Sequence, residues 1–125
     1  MKRPFLFAVT ALLPCLLWAG NTMYCSQALN SAATAADYFR RALVEKNADN
    51  KHYYLEKGSE AADDAVGYCG SCGCNLAQGE ADSGNEFGKA AYYGSDPADV
   101  EYYLKAAIES LDKVQQYIND CMVSF

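Results

Sequence analysis

The sequence predicts an all-α fold: a four-helix up-down arrangement made from two duplicated helical hairpins, each closed by a disulfide. Three observations predict it. Apolar residues recur at helical spacing, the second half of the chain repeats the first at an offset of 49 residues, and cysteines coincide under that offset. A chain of 125 residues is long enough for one modest hydrophobic core.

The first 19 residues have the pattern of a secretory signal peptide. A basic start at positions 2 and 3 precedes an uncharged, mostly apolar run from Phe5 to Trp18, which is too short to span a bilayer comfortably. Small residues follow at Ala19 and Gly20, so we expect cleavage after Ala19, with an uncleaved anchor as the alternative. The sequence therefore predicts a single domain over 20–125, periplasmic or secreted, without stable membrane insertion after the signal is removed.

The predicted mature chain reads as one unit written twice, with hairpin repeats at 25–72 and 74–121. At the offset of 49 residues Cys25 aligns with Cys74 and Cys72 aligns with Cys121, while the motif Tyr-Tyr-Leu at 53–55 recurs at 102–104. Repeats of this length are typical of paired helices.

Each unit begins with a helix that has a seam of small residues and continues with a helix that has an apolar stripe. The fourth helix is the clearest, because Asp96 is a suitable cap, Pro97 suits the first helical position, and apolar residues then recur at steps of four and three. Three glycines weaken the third helix, which we expect to be the least regular and partly loop. The predicted inward positions are Cys25, Ala28, Ala32, Ala35, Phe39 and Ala42; Lys51, Leu55, Gly58, Ala62, Ala65, Cys69 and Cys72; Cys74, Ala77, Ala81, Gly84, Gly88 and Ala91; and Val100, Leu104, Ala107, Leu111, Val114, Ile118 and Cys121.

Short links favour antiparallel neighbours, so we expect all five cysteines of the mature chain to gather at one end of the bundle. Oxidising conditions outside the cytoplasm convert pairs of thiols to disulfides. The repeat suggests the bonds Cys25–Cys72 and Cys74–Cys121, each closing one hairpin, although crossed pairings are open at this stage.

Cys69 is then the odd cysteine, either free or reactive. It aligns with Ile118 on the inward stripe, which favours a buried thiol that acts as a small apolar side chain. Two other interpretations are a redox pair in the C-x-x-C of Cys69 and Cys72, and a soft-metal site for Cu(I) or Zn formed by Cys69, Cys72 and Cys74. Apart from that alternative, we expect no cofactor.

The charge and the tyrosines indicate a protein partner. After loss of the signal, 16 acidic residues face eight basic ones, which argues against nucleic acid and favours a partner with a basic patch. Tyrosine is enriched at protein interfaces. Its doublets are expected at the turn end of the bundle, opposite the cysteines, with one ring of each inward and one at the flank: Tyr53 and Tyr54, Tyr92 and Tyr93, and Tyr102 and Tyr103.

The sequence contains no arrangement that favours an enzyme. His52 is the single histidine, is expected to face solvent, and has no nucleophile in its sequence context. We therefore expect an exported, non-enzymatic binding protein that presents an acidic, tyrosine-bearing surface to another protein, comparable only by class with small inhibitor or immunity proteins. The alternative is a thiol-dependent metal-binding or redox protein.

Overall fold

The computed structural model of the chain describes residues 2–124, with side chains from 22 to 123. It has four helices: α1 (Lys2–Val44), α2 (Ala48–Cys72), α3 (Asn75–Tyr93) and α4 (Pro97–Ser124). The predicted all-α helical bundle is confirmed. The side chains of the predicted signal segment, 1–19, lie outside the described residues. Over the part of the chain that is described, none of the helices carries an apolar stretch capable of crossing a bilayer.

Local sequence explains where the helices begin and end. The side-chain oxygen of Asn47 accepts a hydrogen bond from the backbone N–H of Asn50 at 3.0 Å, which caps α2. Asp96 accepts one from the N–H of Ala98 at 2.9 Å, just before the proline that begins α4. Gly73 ends α2 with φ of 81°, a left-handed conformation that favours glycine. The chain therefore turns into α3 within two residues.

The core follows the predicted stripes on all four helices. Almost every predicted inward residue with a described side chain is buried, from Cys25 and Ala28 on α1 to Ile118 on α4. Lys51 is the clear correction: it is half-buried at the edge of the core, because an ammonium keeps its hydration while the aliphatic stem packs. Cys121 is also half-buried. Asn85 and Ser110 are buried polar residues that the stripes do not predict.

The third helix corrects another expectation, because α3 is one continuous helix without a loop. Its glycines allow close packing. A Cβ atom at Gly84 would lie 2.9 Å from Cγ of Leu111, and one at Gly88 would lie 2.5 Å from Cζ of Phe39. Contact with these two buried side chains stabilises a helix whose intrinsic propensity is poor.

Packing defines which helices are neighbours, and the disulfides link neighbouring helices in pairs. α1 packs against α2 and α4, and α3 packs against the same two, so α2 and α4 lie diagonally across the bundle. Cys25 is bonded to Cys72, with Cα atoms 4.8 Å apart, and Cys74 is bonded to Cys121, with Cα atoms 6.1 Å apart. These are the pairs that the sequence repeat suggests. The bonds link α1 to α2 and the start of α3 to α4.

Candidate partner-binding surface

Aromatic rings from three helices form a belt near the links at 45–47 and 94–96. We call this group the aromatic belt. It consists of Tyr38, His52, Tyr53, Tyr54, Tyr92 and Tyr93.

Direct ring contacts connect neighbouring helices in two groups of rings, Tyr38 with Tyr53 and Tyr54, and His52 with Tyr92 and Tyr93. Tyr38 of α1 lies 6.3 Å from Tyr54 of α2, measured between ring centroids, and His52 of α2 lies 4.4 Å from Tyr92 of α3. The second contact places His52, the residue that precedes the doublet of α2, against the doublet of α3. The belt is therefore a feature of the folded bundle and not of any single helix.

Within each doublet one ring is more exposed and the other packs against the core. Tyr53 is 50% exposed and Tyr93 is 80% exposed, while their neighbours Tyr54 and Tyr92 are partly buried. The rings of each doublet meet edge to face, with centroids 5.8 Å and 4.9 Å apart. An exposed ring that is held by a packed neighbour loses little conformational freedom when it binds.

The third doublet does not join the belt. Tyr102 and Tyr103 show the same edge-to-face geometry at 5.6 Å, and Tyr102 is 65% exposed. However, α4 lies diagonally opposite α2, and no described ring contact links this doublet to the other two. The structure thus links Tyr92 and Tyr93 to α2 through His52, and no such contact is described for Tyr102 and Tyr103.

Two cations lie over rings of the belt, those of Tyr38 and Tyr53. The guanidinium of Arg41 is 5.8 Å from the ring centroid of Tyr38, and the ammonium of Lys57 is 5.8 Å from that of Tyr53. A hydrogen bond to Glu60 and the charge of that carboxylate raise the pKa of Lys57, so its ammonium stays charged. These cations help to orient the rings at the surface.

Two open depressions border the belt. One, of about 360 Å³, lies between the starts of α2 and α4 and the end of α3, and is lined by residues that include Lys51, His52 and Tyr92. The other, of about 240 Å³, lies between α2 and α3, where Glu56 and Glu60 face Tyr93. Both openings are shallow, so they suit protruding side chains of a partner better than an enclosed small molecule.

The sequence did not predict that Tyr38 belongs to the belt or that His52 contacts Tyr92. Although His52 is exposed as expected, its ring stacks on Tyr92. A signal was present: Tyr38 and Tyr54 are equally distant from residue 46, at the centre of the link between α1 and α2. Residues equidistant from a tight link meet when two helices form an antiparallel hairpin.

At the cysteine end of the bundle, the free thiol that the structure describes, that of Cys69, is not accessible. Cys69 is fully buried, and burial raises the pKa of its thiol to about 11. The sulfurs of Cys72 and Cys74 are held in disulfides and are not thiolate ligands. Within the described residues no three His, Cys, Asp or Glu side chains are arranged to hold a metal ion. A reactive Cys69 and a Cys69, Cys72 and Cys74 metal site are therefore disfavoured, because their chemistry needs accessible thiolates.

Comparison of the chain with protein-family models, with curated proteins and with solved structures finds no match.

Proposed function

We propose that this chain is an exported, non-enzymatic binding protein that uses the aromatic belt, within an acidic surface, to hold another protein. The observation that carries the proposal is the belt itself: Tyr53 and Tyr93 are largely exposed, yet ring contacts to Tyr54 and Tyr92 orient both. Exposed aromatic residues that are already ordered are favourable anchors at protein interfaces.

The finer architecture belongs to the same proposal. We infer an up-down order of helices, made from duplicated hairpins at 25–72 and 74–121. Contacts between residues that lie at similar distances from each link support it, such as Tyr38 with Tyr54 and His52 with Tyr92. Further support comes from the two disulfides, each of which spans 47 residues.

Export is proposed on the signal-like segment at 1–19 and on the disulfides. Disulfides persist in oxidising compartments, and three of the four bonded cysteines, Cys25, Cys72 and Cys74, are buried in the core. With the signal removed, the chain would act in the periplasm or outside the cell. Its acidic charge predicts a partner with a basic patch and an association rate that falls as salt is added.

The test is to identify the partner by placing a photo-crosslinking residue at position 93 of the exported protein, then to measure affinity with both purified proteins. The doubly substituted protein Tyr53→Ser, Tyr93→Ser should bind at least about tenfold more weakly, the range expected when aromatic anchors are truncated. Val123→Ser removes another exposed apolar side chain, 88% exposed and at the cysteine end, and should leave affinity unchanged.

Tyr102→Ser tests whether the third doublet contributes to binding, because Tyr102 is the repeat equivalent of Tyr53. We expect it to have little effect on affinity. Equal affinity of the wild-type protein and the Tyr53→Ser, Tyr93→Ser protein, with native circular dichroism for both, would refute the proposal that the belt is the binding surface.

A further inference from the structure

We propose that the exposed sides of α2 and α3, which we call the α2–α3 face, receive a lysine- and arginine-bearing surface of the partner protein. This inference deepens the proposed function and rests on it, since it assigns one face of the bundle and the chemistry of the partner. It is carried by the distribution of charges and ion pairs, and not by the aromatic belt alone.

Negative charge is concentrated on α2 and α3. Residues 48–93 contain eight carboxylates and three lysines, a net charge of −5, whereas the rest of the predicted mature chain contains eight carboxylates and five basic residues, a net charge of −3. Nearly all carboxylates of α2 and α3 are exposed, including Asp64, Asp82 and Glu86. Their field favours approach of a basic surface from this side.

Ion pairs within the protein increase the difference in available negative charge between the α2–α3 face and the surface of α1 and α4. Four of the five described pairs lie on α1 and α4, among them Arg40–Asp112 and Lys105–Glu101. The fifth, Lys57–Glu60, is on α2, and no described ion pair includes a residue of α3. Carboxylates of the α2–α3 face are therefore largely available to cations of a partner, while four of the six on α1 and α4 are already in ion pairs.

A cleft of about 360 Å³ on the exposed side of α2, which Tyr24 of α1 also borders, shows what kind of group this side of the bundle accepts. It is lined by the carboxylates of Asp63 and Asp64 and by the rings of Tyr24 and Tyr68, and no lysine or arginine lines it. The described partner of Asp63 is neutral, the amide of Asn85 at 3.4 Å. Carboxylates beside aromatic rings suit an ammonium or guanidinium group, through charge and through cation–π contact.

Gly67 keeps that cleft open. A Cβ atom at this helical position would meet nothing within 4 Å, whereas Gly58, Gly84 and Gly88 are each pressed against a large side chain. Packing therefore does not require glycine at position 67. The bare backbone leaves room for a partner's side chain between the carboxylates and the rings. A bulky residue here would fill the cleft without altering any charge.

Carboxylates and rings lie along α2, with Tyr24 of α1 near one end and Tyr92 and Tyr93 of α3 near the other. The cleft with Asp63 and Asp64 lies toward the cysteine end of α2, and the groove with Glu56, Tyr92 and Tyr93 lies toward the opposite end. A basic partner surface would place lysine or arginine side chains in the cleft and pack against the belt with its remaining contacts.

The experiment uses the exported protein with its disulfides intact and two synthetic peptides as probes. One peptide is rich in lysine and arginine; in the other, lysines are acetylated and arginines are replaced by citrulline. Binding is followed by NMR, since shifts of backbone amide signals identify the face that is contacted. We expect the charged peptide to shift α2 and α3 signals selectively and the neutral peptide to produce no such shifts.

The repeat offers a matched pair of charge reversals. Glu60→Lys with Glu86→Lys changes the α2–α3 face, and Glu109→Lys with Asp37→Lys makes the same change at the repeat-equivalent positions on α4 and α1. The first protein should lose about tenfold in affinity for the charged peptide, and the second less than about twofold. Gly67→Met should also weaken binding several-fold, while Gly67→Ala, whose Cβ would meet nothing within 4 Å, should have a much smaller effect.

Equal losses from the two pairs of reversals would mean that net charge alone attracts the peptide, and would overturn the assignment of a face. No binding of the charged peptide, or equal binding of the neutral one, would also overturn it. None of these outcomes bears on the crosslinking and tyrosine substitutions of the belt, so a failure here is distinguishable from a failure of the proposed function.

Discussion

The ring of Phe39 occupies the space that a side chain at Gly58 would need. A Cβ atom placed at Gly58 would lie 2.5 Å from Cε1 of Phe39, and the adjacent ring atom Cζ lies equally close to a Cβ position at Gly88. Phe39 is the largest fully buried side chain described, within a seam of α1 that is otherwise made of alanine and cysteine. The Phe39 ring therefore packs against both α2 and α3, and each of these helices accommodates it with a glycine.

This relationship predicts that Gly58→Ala destabilises the protein. Helix propensity alone would favour alanine by about 1 kcal/mol, but the new methyl group would overlap the Phe39 ring. Overpacking of a core costs about 1–3 kcal/mol, so after the gain in propensity we expect a net loss of stability of up to about 2 kcal/mol in urea denaturation.

Gly67→Ala is the matched control, because it is on the same helix and its Cβ would meet nothing within 4 Å. It should stabilise the protein by about 0.5–1 kcal/mol. Combining Gly58→Ala with Phe39→Leu should recover part of the loss, since the smaller side chain leaves room. A stabilising Gly58→Ala would contradict the close contact.

The contact also shows what the sequence could and could not predict. The periodicity predicted which faces of the helices are buried, because a 3.6-residue repeat of apolar residues has one inward direction. It could not predict that Phe39 meets Gly88, its own repeat equivalent, because that depends on side-chain volumes across the bundle. The expectation of a partly looped third helix was wrong for the same reason. Helix propensity takes no account of the packing of Gly88 against the ring of Phe39.

The sequence predicted the exposure of individual rings of the candidate surface but not their arrangement across helices. Doublets of tyrosine predicted one exposed ring each, since successive helical residues point about 100° apart, and the exposures of Tyr53 and Tyr93 agree. Which doublets lie close to one another depends on which helices are neighbours. Since α4 is diagonal to α2, Tyr102 is separated from Tyr53, and no residue pattern within a single helix contains that information.

Removal of either disulfide should cost a large share of the total stability. Each bond closes a loop with the same sequence separation, 47 residues, for which the chain-entropy model gives about 4 kcal/mol. We expect Cys25→Ala with Cys72→Ala to cost more than Cys74→Ala with Cys121→Ala, because Cys25 and Cys72 are both buried and their truncation also leaves a cavity. Urea denaturation of the two double variants measures the difference, and the reverse order would contradict it.

The ion pair between Arg40 and Asp112 should contribute little despite good geometry. Nη2 of Arg40 donates to both carboxylate oxygens of Asp112, at 2.9 Å and 2.8 Å, but both side chains are about half exposed. Exposed pairs of this kind are worth about 0.2–1 kcal/mol. A double-mutant cycle with Arg40→Gln and Asp112→Asn should give a coupling energy in this range that shrinks as salt is added. A coupling above about 2 kcal/mol would show that the pair is effectively buried.

Cys69 makes stability depend on pH in the alkaline range. Burial raises the pKa of its thiol from 9.0 to about 11, so the folded state favours the neutral thiol while the unfolded chain ionises at an ordinary pKa. The contribution is fully present below pH 9 and is lost as the pH rises toward 11. A shift of this size corresponds to a loss of at most about 2–3 kcal/mol across that window.

Cys69→Ala provides the control for this pH dependence, because the lysines and tyrosines titrate in both proteins and their contributions cancel in the difference. The free energy of unfolding of the wild type should fall toward that of Cys69→Ala, or below it, between pH 8 and pH 10.5. Parallel profiles would contradict the raised pKa. At pH 8 the native thiol should also react with a maleimide far more slowly than the denatured one, because both ionisation and access to Cys69 are suppressed. Rapid reaction in the native state would restore the thiol-dependent interpretation that burial of Cys69 argues against.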